Sequence, residues 1–172
     1  MYEKNFFSHT PSISVFIYRK EQTIMVKRDV SRDTVELLKE CDAGCKMAID
    51  SMEQINRHVT DDKLKSLITR YNGDHIKLKE EIHRALNNVG AEGQEPNPMA
   101  KASSWITSEV KMMLKGDSKE AASLLTDGCN MGIKSLCEYK NSYKAADEKS
   151  VSLCVKLCDI EAGMVEELQE FL

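Results

Sequence analysis

An internal repeat limits the folds that this sequence can adopt. Residues 33–59 align with residues 117–143 at a spacing of 84, and residues 61–86 align with residues 147–172 at a spacing of 86. The first alignment has seven identities: Asp33/Asp117, Glu36/Glu120, Gly44/Gly128, Cys45/Cys129, Met47/Met131, Ile49/Ile133 and Ser51/Ser135. The change in register falls where a turn is expected, so each copy predicts helix, turn and helix. Two helical hairpins predict an all-α four-helix bundle.

Capping residues and apolar periodicity place the helices. Asp33-x-x-Glu36 and Asp117-x-x-Glu120 have the spacing of a capping box. Thr60 or Asp61 is expected to cap the second helix, and Asp147 stands at the expected start of the fourth. Apolar residues then recur at the three-, four- and seven-residue spacings of a bundle stripe. The predicted hairpins span residues 33–87 and 117–172. A long crossover at 88–116 contains glycines and prolines at its start and a short helix at about 99–115.

The first 28 residues have a different pattern. They lack helical periodicity and contain Pro11, which predicts a short β-ribbon or a disordered arm in front of a bundle domain at 29–172. A second interpretation is that translation starts at Met25, shortly before the first helix. The apolar stretch at 12–18 is too short and too mixed for a signal peptide.

The composition excludes several classes of partner. The formal net charge of the 172 residues is −4, so the chain has no basic surface for nucleic acid or anionic membranes. No apolar stretch approaches the ~20 residues that span a bilayer. Six cysteines without a secretory signal indicate a reducing, cytoplasmic location.

The connection between the hairpins supports a more specific interpretation. Trp105 is followed by an apolar stretch that closes in Leu114-Lys115-Gly116-Asp117. Because of this segment, residues 29–172 resemble a bacterial ferritin-like four-helix-bundle family known only as a domain of unknown function. The crossover helix of that family contains a Trp and ends in Leu-x-Gly-Asp. The resemblance implies a ferritin-like bundle of two repeated hairpins and implies no activity. The length of the connection independently favours a single crossover along the bundle.

Di-iron bundles offer a direct test of chemistry, since they use a Glu from two helices and Glu-x-x-His from the other two. Cys45 and His75 each lie 15 residues from the first turn, and Cys129 and Glu161 lie 16 residues from the second. At 1.5 Å per residue, all four are ~22–24 Å from their turns, near the middle of each helix. The ligand pattern here is Cys45, Asn72-x-x-His75, Cys129 and Cys158-x-x-Glu161. One carboxylate in place of four predicts that the bundle lacks a di-iron centre.

Two interpretations of this central set remain open. In the first, the cysteines fill the core and His75 pairs with Glu161, with His75 as the charged partner. The protein is then a non-enzymatic structural or stress-associated bundle that forms a homo-oligomer, and the expected oligomer is a dimer. In the second, a four-coordinate site of Cys45, His75, Cys129 and either Glu161 or Cys158 binds zinc or iron.

The cysteines also form two pairs with helical spacing, Cys41/Cys45 and Cys154/Cys158. Each pair lies on one face of its helix, and the two faces can meet if the first and fourth helices are neighbours. Facing pairs could form disulfides under oxidative stress or hold a soft metal. Against this, Cys41 is expected at the edge of its apolar stripe, towards water.

Overall fold

The computed structural model describes residues 30–95 and 117–172. Within these ranges it contains four long helices and no strand, so the all-α prediction is confirmed for this part of the chain. The helices are α1 (Arg32–Asn56), α2 (Asp62–Asn88), α3 (Ser118–Ser142) and α4 (Glu148–Leu168), and a 3-10 turn (Gln169–Phe171) follows α4. The predicted N-terminal arm and crossover helix lie outside the described residues.

Side-chain caps fix where each helix begins. The carboxylates of Asp61, Asp117 and Asp147 accept hydrogen bonds from amides in the first turns of α2, α3 and α4, at positions that the sequence predicted. In α1 the predicted cap at Asp33 is wrong: Ser31 is the cap, and its hydroxyl accepts from the Asp33 amide at 3.1 Å. The Asp33 carboxylate instead accepts a 2.9 Å hydrogen bond from the distant amide of Ala145.

A glycine ends α2. Gly90 has a φ of 71°, a left-handed conformation that costs glycine little. The amide of Gly90 donates to the carbonyl of Asn87, and the amide of Ala91 donates to that of Leu86. These two hydrogen bonds make a Schellman motif, which satisfies carbonyls at the end of the helix and turns the chain away.

Contacts between α2 and α4 show the relative direction of these helices. Side-chain contacts join them at three levels: Arg70 and Tyr71 with Glu167, His75 with Glu161, and Glu81 with Lys156. Residue numbers rise along α2 as they fall along α4, so the two helices are antiparallel. The His75–Glu161 contact lies between the other two pairs.

The buried core has two clusters, one towards each end of the bundle. The first packs Val59 and Leu64, at the turn between α1 and α2, with Ala121 at the start of α3. The second packs Leu86, at the end of α2, with Leu136 near the end of α3. Therefore α2 and α3 run in the same direction, and the connection between them leads from one end of the bundle to the other.

Candidate functional site

A buried ion pair lies in the middle of the bundle. The side chains of His75 on α2 and Glu161 on α4 are 0% and 8% exposed, and His75 Nε2 lies 3.3 Å from Glu161 Oε1. The other ring nitrogen, Nδ1, lies 2.8 Å from the Tyr71 carbonyl one turn earlier in α2. Only a protonated imidazole donates from both nitrogens, so these two acceptors favour the charged ring.

Opposed effects set the pKa of His75. Burial lowers this pKa because the interior disfavours a charged ring. The hydrogen bond and negative charge of Glu161, together with the Tyr71 carbonyl, outweigh burial and raise the pKa above its ordinary value of 6.5. The predicted pairing of the two groups, with His75 as the charged partner, agrees with this geometry.

Two buried thiols lie near the pair. Cys129 on α3 lines the same cleft as Glu161, and burial followed by the Glu161 charge raises the pKa of its thiol far above the ordinary range. Burial, followed by the charges of Glu161 and Asp42, raises the pKa of Cys45 on α1 to about 12. Because the thiolate is the nucleophile and the metal ligand, neither cysteine is prepared for either role at neutral pH.

A cleft between α1 and α3 reaches the buried pair. Its volume is about 440 Å³, and His75, Cys129 and Glu161 are among the residues that line it. The rest of the lining is largely small or apolar, including Gly44, Gly128, Gly132, Met47, Met52, Met131 and Met164. A side chain added at Gly128 would meet no atom within 4 Å, so this glycine leaves open space in the cleft wall.

The structure brings together only part of the predicted metal-ligand set. His75, Cys129 and Glu161 are in mutual reach around the carboxylate, and Cys45 is buried within range of its charge. Cys158 does not line the cleft and instead packs, half-buried, against the second core cluster.

The two cysteine pairs with helical spacing lie together at the second core cluster. Cys41, Cys45 and Cys154 are buried in this cluster, and Cys158 packs against it. The expectation that Cys41 faces water is wrong, because α1 packs against α4 at this point.

The arrangement gives the zinc or iron hypothesis no support. Across residues 30–95 and 117–172, no group of three or more His, Cys, Asp or Glu side chains is placed to hold a metal ion. Both nitrogens of His75 have protein acceptors, whereas a metal needs a free lone pair on one of them. The metal site therefore stays a prediction, and the arrangement of these His, Cys and Glu side chains does not fit it.

Sequence reasoning missed a second buried carboxylate, Asp42 of α1. Its Oδ1 lies 2.7 Å from His83 Nε2, and its Oδ2 lies 3.1 Å from Lys46 Nζ and accepts from the Gln94 amide at 3.0 Å. Asp42 therefore ties the segment that follows α2 to the side of α1. A signal was available, because Asp42 is four residues after buried Leu38 and thus on the same helical face.

Comparison of the chain with protein-family models, with curated proteins and with solved structures finds no match. Among the described helices, none combines the length and the apolar character needed to cross a membrane. The geometry of the central pair and of the cleft is therefore the basis for inferring function.

Proposed function

We propose that this chain is a non-enzymatic, ferritin-like bundle that binds a small, mainly apolar molecule in the cleft between α1 and α3. The observation that supports the proposal is the Glu161 carboxylate, a buried acceptor in a cleft whose other walls are largely apolar. Pockets of about 300–1,000 Å³ with a few placed polar groups are typical of small-molecule sites.

The ferritin-like part of the proposal draws on topology and on the repeat. Helices α2 and α3 run in the same direction and are joined from opposite ends of the bundle, as a single long crossover requires. The sequence repeat pairs α1 with α3 and α2 with α4. We further propose a cytoplasmic homodimer, for which exposed Ile76 and Val155 offer apolar contacts outside the cleft, and sedimentation velocity would measure it directly.

The non-enzymatic part follows from how the central groups are used. The His75 ring is held between Tyr71 and Glu161, so it has no free nitrogen to accept a proton from a substrate. The raised pKa of the Cys129 thiol keeps it protonated at neutral pH. Groups in these states can bind and orient a ligand, but they do not supply a nucleophile or a general base.

The lining defines the chemistry of the ligand. Apolar walls favour an alkyl or aromatic body, since each CH2 removed from water contributes about 0.8 kcal/mol. A carboxylate has about four acceptor positions, and His75 occupies one of those of Glu161. The ligand should therefore place a hydrogen-bond donor, such as an ammonium group, beside Glu161. An anionic group there would be repelled.

Calorimetric titration with octylammonium and octanoate tests this proposal, because these probes share an alkyl body and differ in head-group charge. We expect octylammonium to bind the wild type and octanoate to bind at least ~10-fold more weakly, a difference of about 1.4 kcal/mol. Gly128→Leu should fill the cleft and abolish binding. Gly73→Leu is the matched control, since Gly73 is also helical, has open space at its Cβ position and does not line the cleft.

Two results would contradict the proposal. Equal binding of the two probes would show that the alkyl chain associates without reference to Glu161. Unchanged octylammonium binding by Gly128→Leu would place the probe outside the cleft.

A further inference from the structure

The cleft between α1 and α3 has a second carboxylate, Glu40 of α1, which we call the outer carboxylate. Among the described residues that line the cleft, Glu40 and Glu161 are the acids, and none is a lysine or an arginine. His75, the charged base of this described lining, is already paired with Glu161. Glu40 is half-buried, and the ion pairs between described side chains do not include it. The outer carboxylate therefore faces the cleft without a cation.

Contacts between α1 and α4 fix how far apart the two carboxylates lie along the bundle. Near one end, the Asp147 amide donates to the Thr34 hydroxyl, and further along a Cβ at Gly44 would lie 3.6 Å from Leu157 Cδ2. Both contacts are offset by 113 residues, from 34 to 147 and from 44 to 157. The central carboxylate is therefore level with residue 48 of α1, eight residues after the outer one. At 1.5 Å per residue, the separation along the bundle is ~12 Å.

The opposite wall of the cleft places a phenol at the same end as the outer carboxylate. Gly132 lies beside Glu161, and the Leu136 carbonyl accepts a hydrogen bond from the Cys154 thiol at 3.6 Å. Residue numbers thus rise along α3 as they fall along α4. Tyr139, which also lines the cleft, is seven residues after Gly132 and so lies ~10 Å from it, towards the start of α4.

The surroundings of Glu40 favour the arrival of a positive charge. Burial raises the pKa of Glu40 against the opposing effect of Tyr139, and the negative charge of Glu36 adds to the rise. A carboxylate with a pKa raised in this way has lost water without gaining a compensating cation. Between the two carboxylates, the α1 wall of the cleft consists of Ala43, Gly44, Met47 and Ala48. These side chains suit an alkyl chain that connects two charged ends.

We propose that the cleft binds a linear aliphatic diamine, with one ammonium group beside Glu161 and the other beside Glu40. This inference rests on the proposed function, because it uses the same cleft and the same ammonium position at Glu161. A diamine with eight carbons, α,ω-diaminooctane, separates its nitrogens by ~11 Å when extended, given carbon–carbon bonds of ~1.5 Å. This length matches the separation of the carboxylates, and the described lining has no lysine or arginine to repel a second positive charge.

Calorimetric titration of the full chain with octylammonium and α,ω-diaminooctane tests the inference, because the probes share a chain and differ by one ammonium group. We expect the diamine to bind the wild type at least ~10-fold more tightly, typical of one added charged hydrogen bond. Glu40→Gln should remove this advantage and leave octylammonium binding unchanged. Glu53→Gln is the matched control: it removes the same charge from an exposed position on α1 outside the cleft, and should keep the full advantage.

The outcomes separate this inference from the proposed function. If octylammonium binds and the diamine binds no more tightly, the inference is overturned and the proposed function stands. An advantage that survives in Glu40→Gln would place the second ammonium group elsewhere and also overturn it. Loss of octylammonium binding in Glu40→Gln would mean that a single ammonium position lies at Glu40, which contradicts binding at two carboxylates. If neither probe binds the wild type, the proposed function fails, and this inference fails with it.

Discussion

Glu161 is buried in the middle of the bundle, where a carboxylate is stable only if partners replace the water it has lost. His75 provides a charged donor, and Cys129 lines the same cleft beside the carboxylate. Gly132 leaves the space in which the carboxylate sits, because a Cβ there would lie 3.3 Å from Glu161 Oε1. His75 of α2 and Cys129 and Gly132 of α3 thus surround one charge on α4, and removing His75 or Glu161 alone is expected to cost more than removing both.

Replacing the central pair one residue at a time tests that expectation. Glu161→Leu leaves His75 buried beside a carbonyl and an apolar side chain, and should lower the free energy of unfolding by on the order of 3 kcal/mol. The double variant His75→Leu/Glu161→Leu leaves no buried charge and should be less destabilised. Urea unfolding followed by circular dichroism measures both. Glu166→Gln, an exposed position on the same helix, should change stability by less than about 0.5 kcal/mol. A double variant as unstable as the sum of its single variants would contradict the coupling.

At the scale of elements, the helices were predictable where the controlling interactions are local. Caps at Asp61, Asp117 and Asp147 bond to amides two or three residues ahead, so the sequence identifies them. Asp33 has the same local pattern, yet its carboxylate bonds to Ala145, more than one hundred residues away. Sequence patterns do not show such tertiary competition, and this is why the start of α1 was predicted two residues late.

The segment after α2 was expected only to break the helix, but it is attached to α1. The Gln94 amide donates a hydrogen bond to Asp42, and the Lys46 ammonium forms an ion pair with the same carboxylate. Lys46 also donates to the Gln94 carbonyl at 3.1 Å. Gly93 allows this close approach, because a Cβ on it would lie 2.5 Å from Asp42 Oδ2. The long connection therefore begins from a fixed point on the side of α1.

Gly93→Ala should release this attachment. The new methyl group would displace the Asp42 carboxylate, so the Gln94 amide should lose its acceptor and exchange its hydrogen faster in native-state hydrogen exchange. We expect a loss of about 1–3 kcal/mol in unfolding free energy, typical of disrupting a buried polar network. Gly128→Ala is the matched control: it meets open space in a helix and should be neutral or stabilising by up to ~1 kcal/mol. Unchanged exchange at Gln94 in Gly93→Ala would contradict this account.

At the scale of the whole molecule, the two hairpins are joined by their ends as well as by their core. Asp33 and Thr34 at the start of α1 accept hydrogen bonds from the Ala145 and Asp147 amides in the turn between α3 and α4, each at 2.9 Å. The start of the first hairpin is thereby attached to the turn of the second.

The fold class was predictable because the repeat, the caps and the apolar periodicity agree. The cleft was not, since its width depends on the spacing between α1 and α3, which no local pattern encodes. The position of the central pair was predictable because distance along a helix is fixed by its rise.

The central pair should make the stability of the whole bundle depend on pH. The folded protein raises the pKa of His75 above its ordinary value of 6.5, so the folded state holds this proton more tightly than the unfolded chain. The stabilisation is fully present below pH 6.5 and is lost as the pH rises through the folded pKa. The difference in unfolding free energy between wild type and His75→Gln should therefore be largest near about pH 6 and smaller near about pH 9.

Urea unfolding of both proteins across this pH range measures the difference, in which the titrating groups that do not interact with His75 cancel because both chains retain them. Asp74, which also raises the His75 pKa, stays in place in the variant. Gly128→Ala, which changes no titrating group, is the control, and its difference from wild type should stay level across this range. A difference for His75→Gln that grows with pH would mean that burial outweighs Glu161, and that the centre of the bundle holds a neutral ring beside its carboxylate.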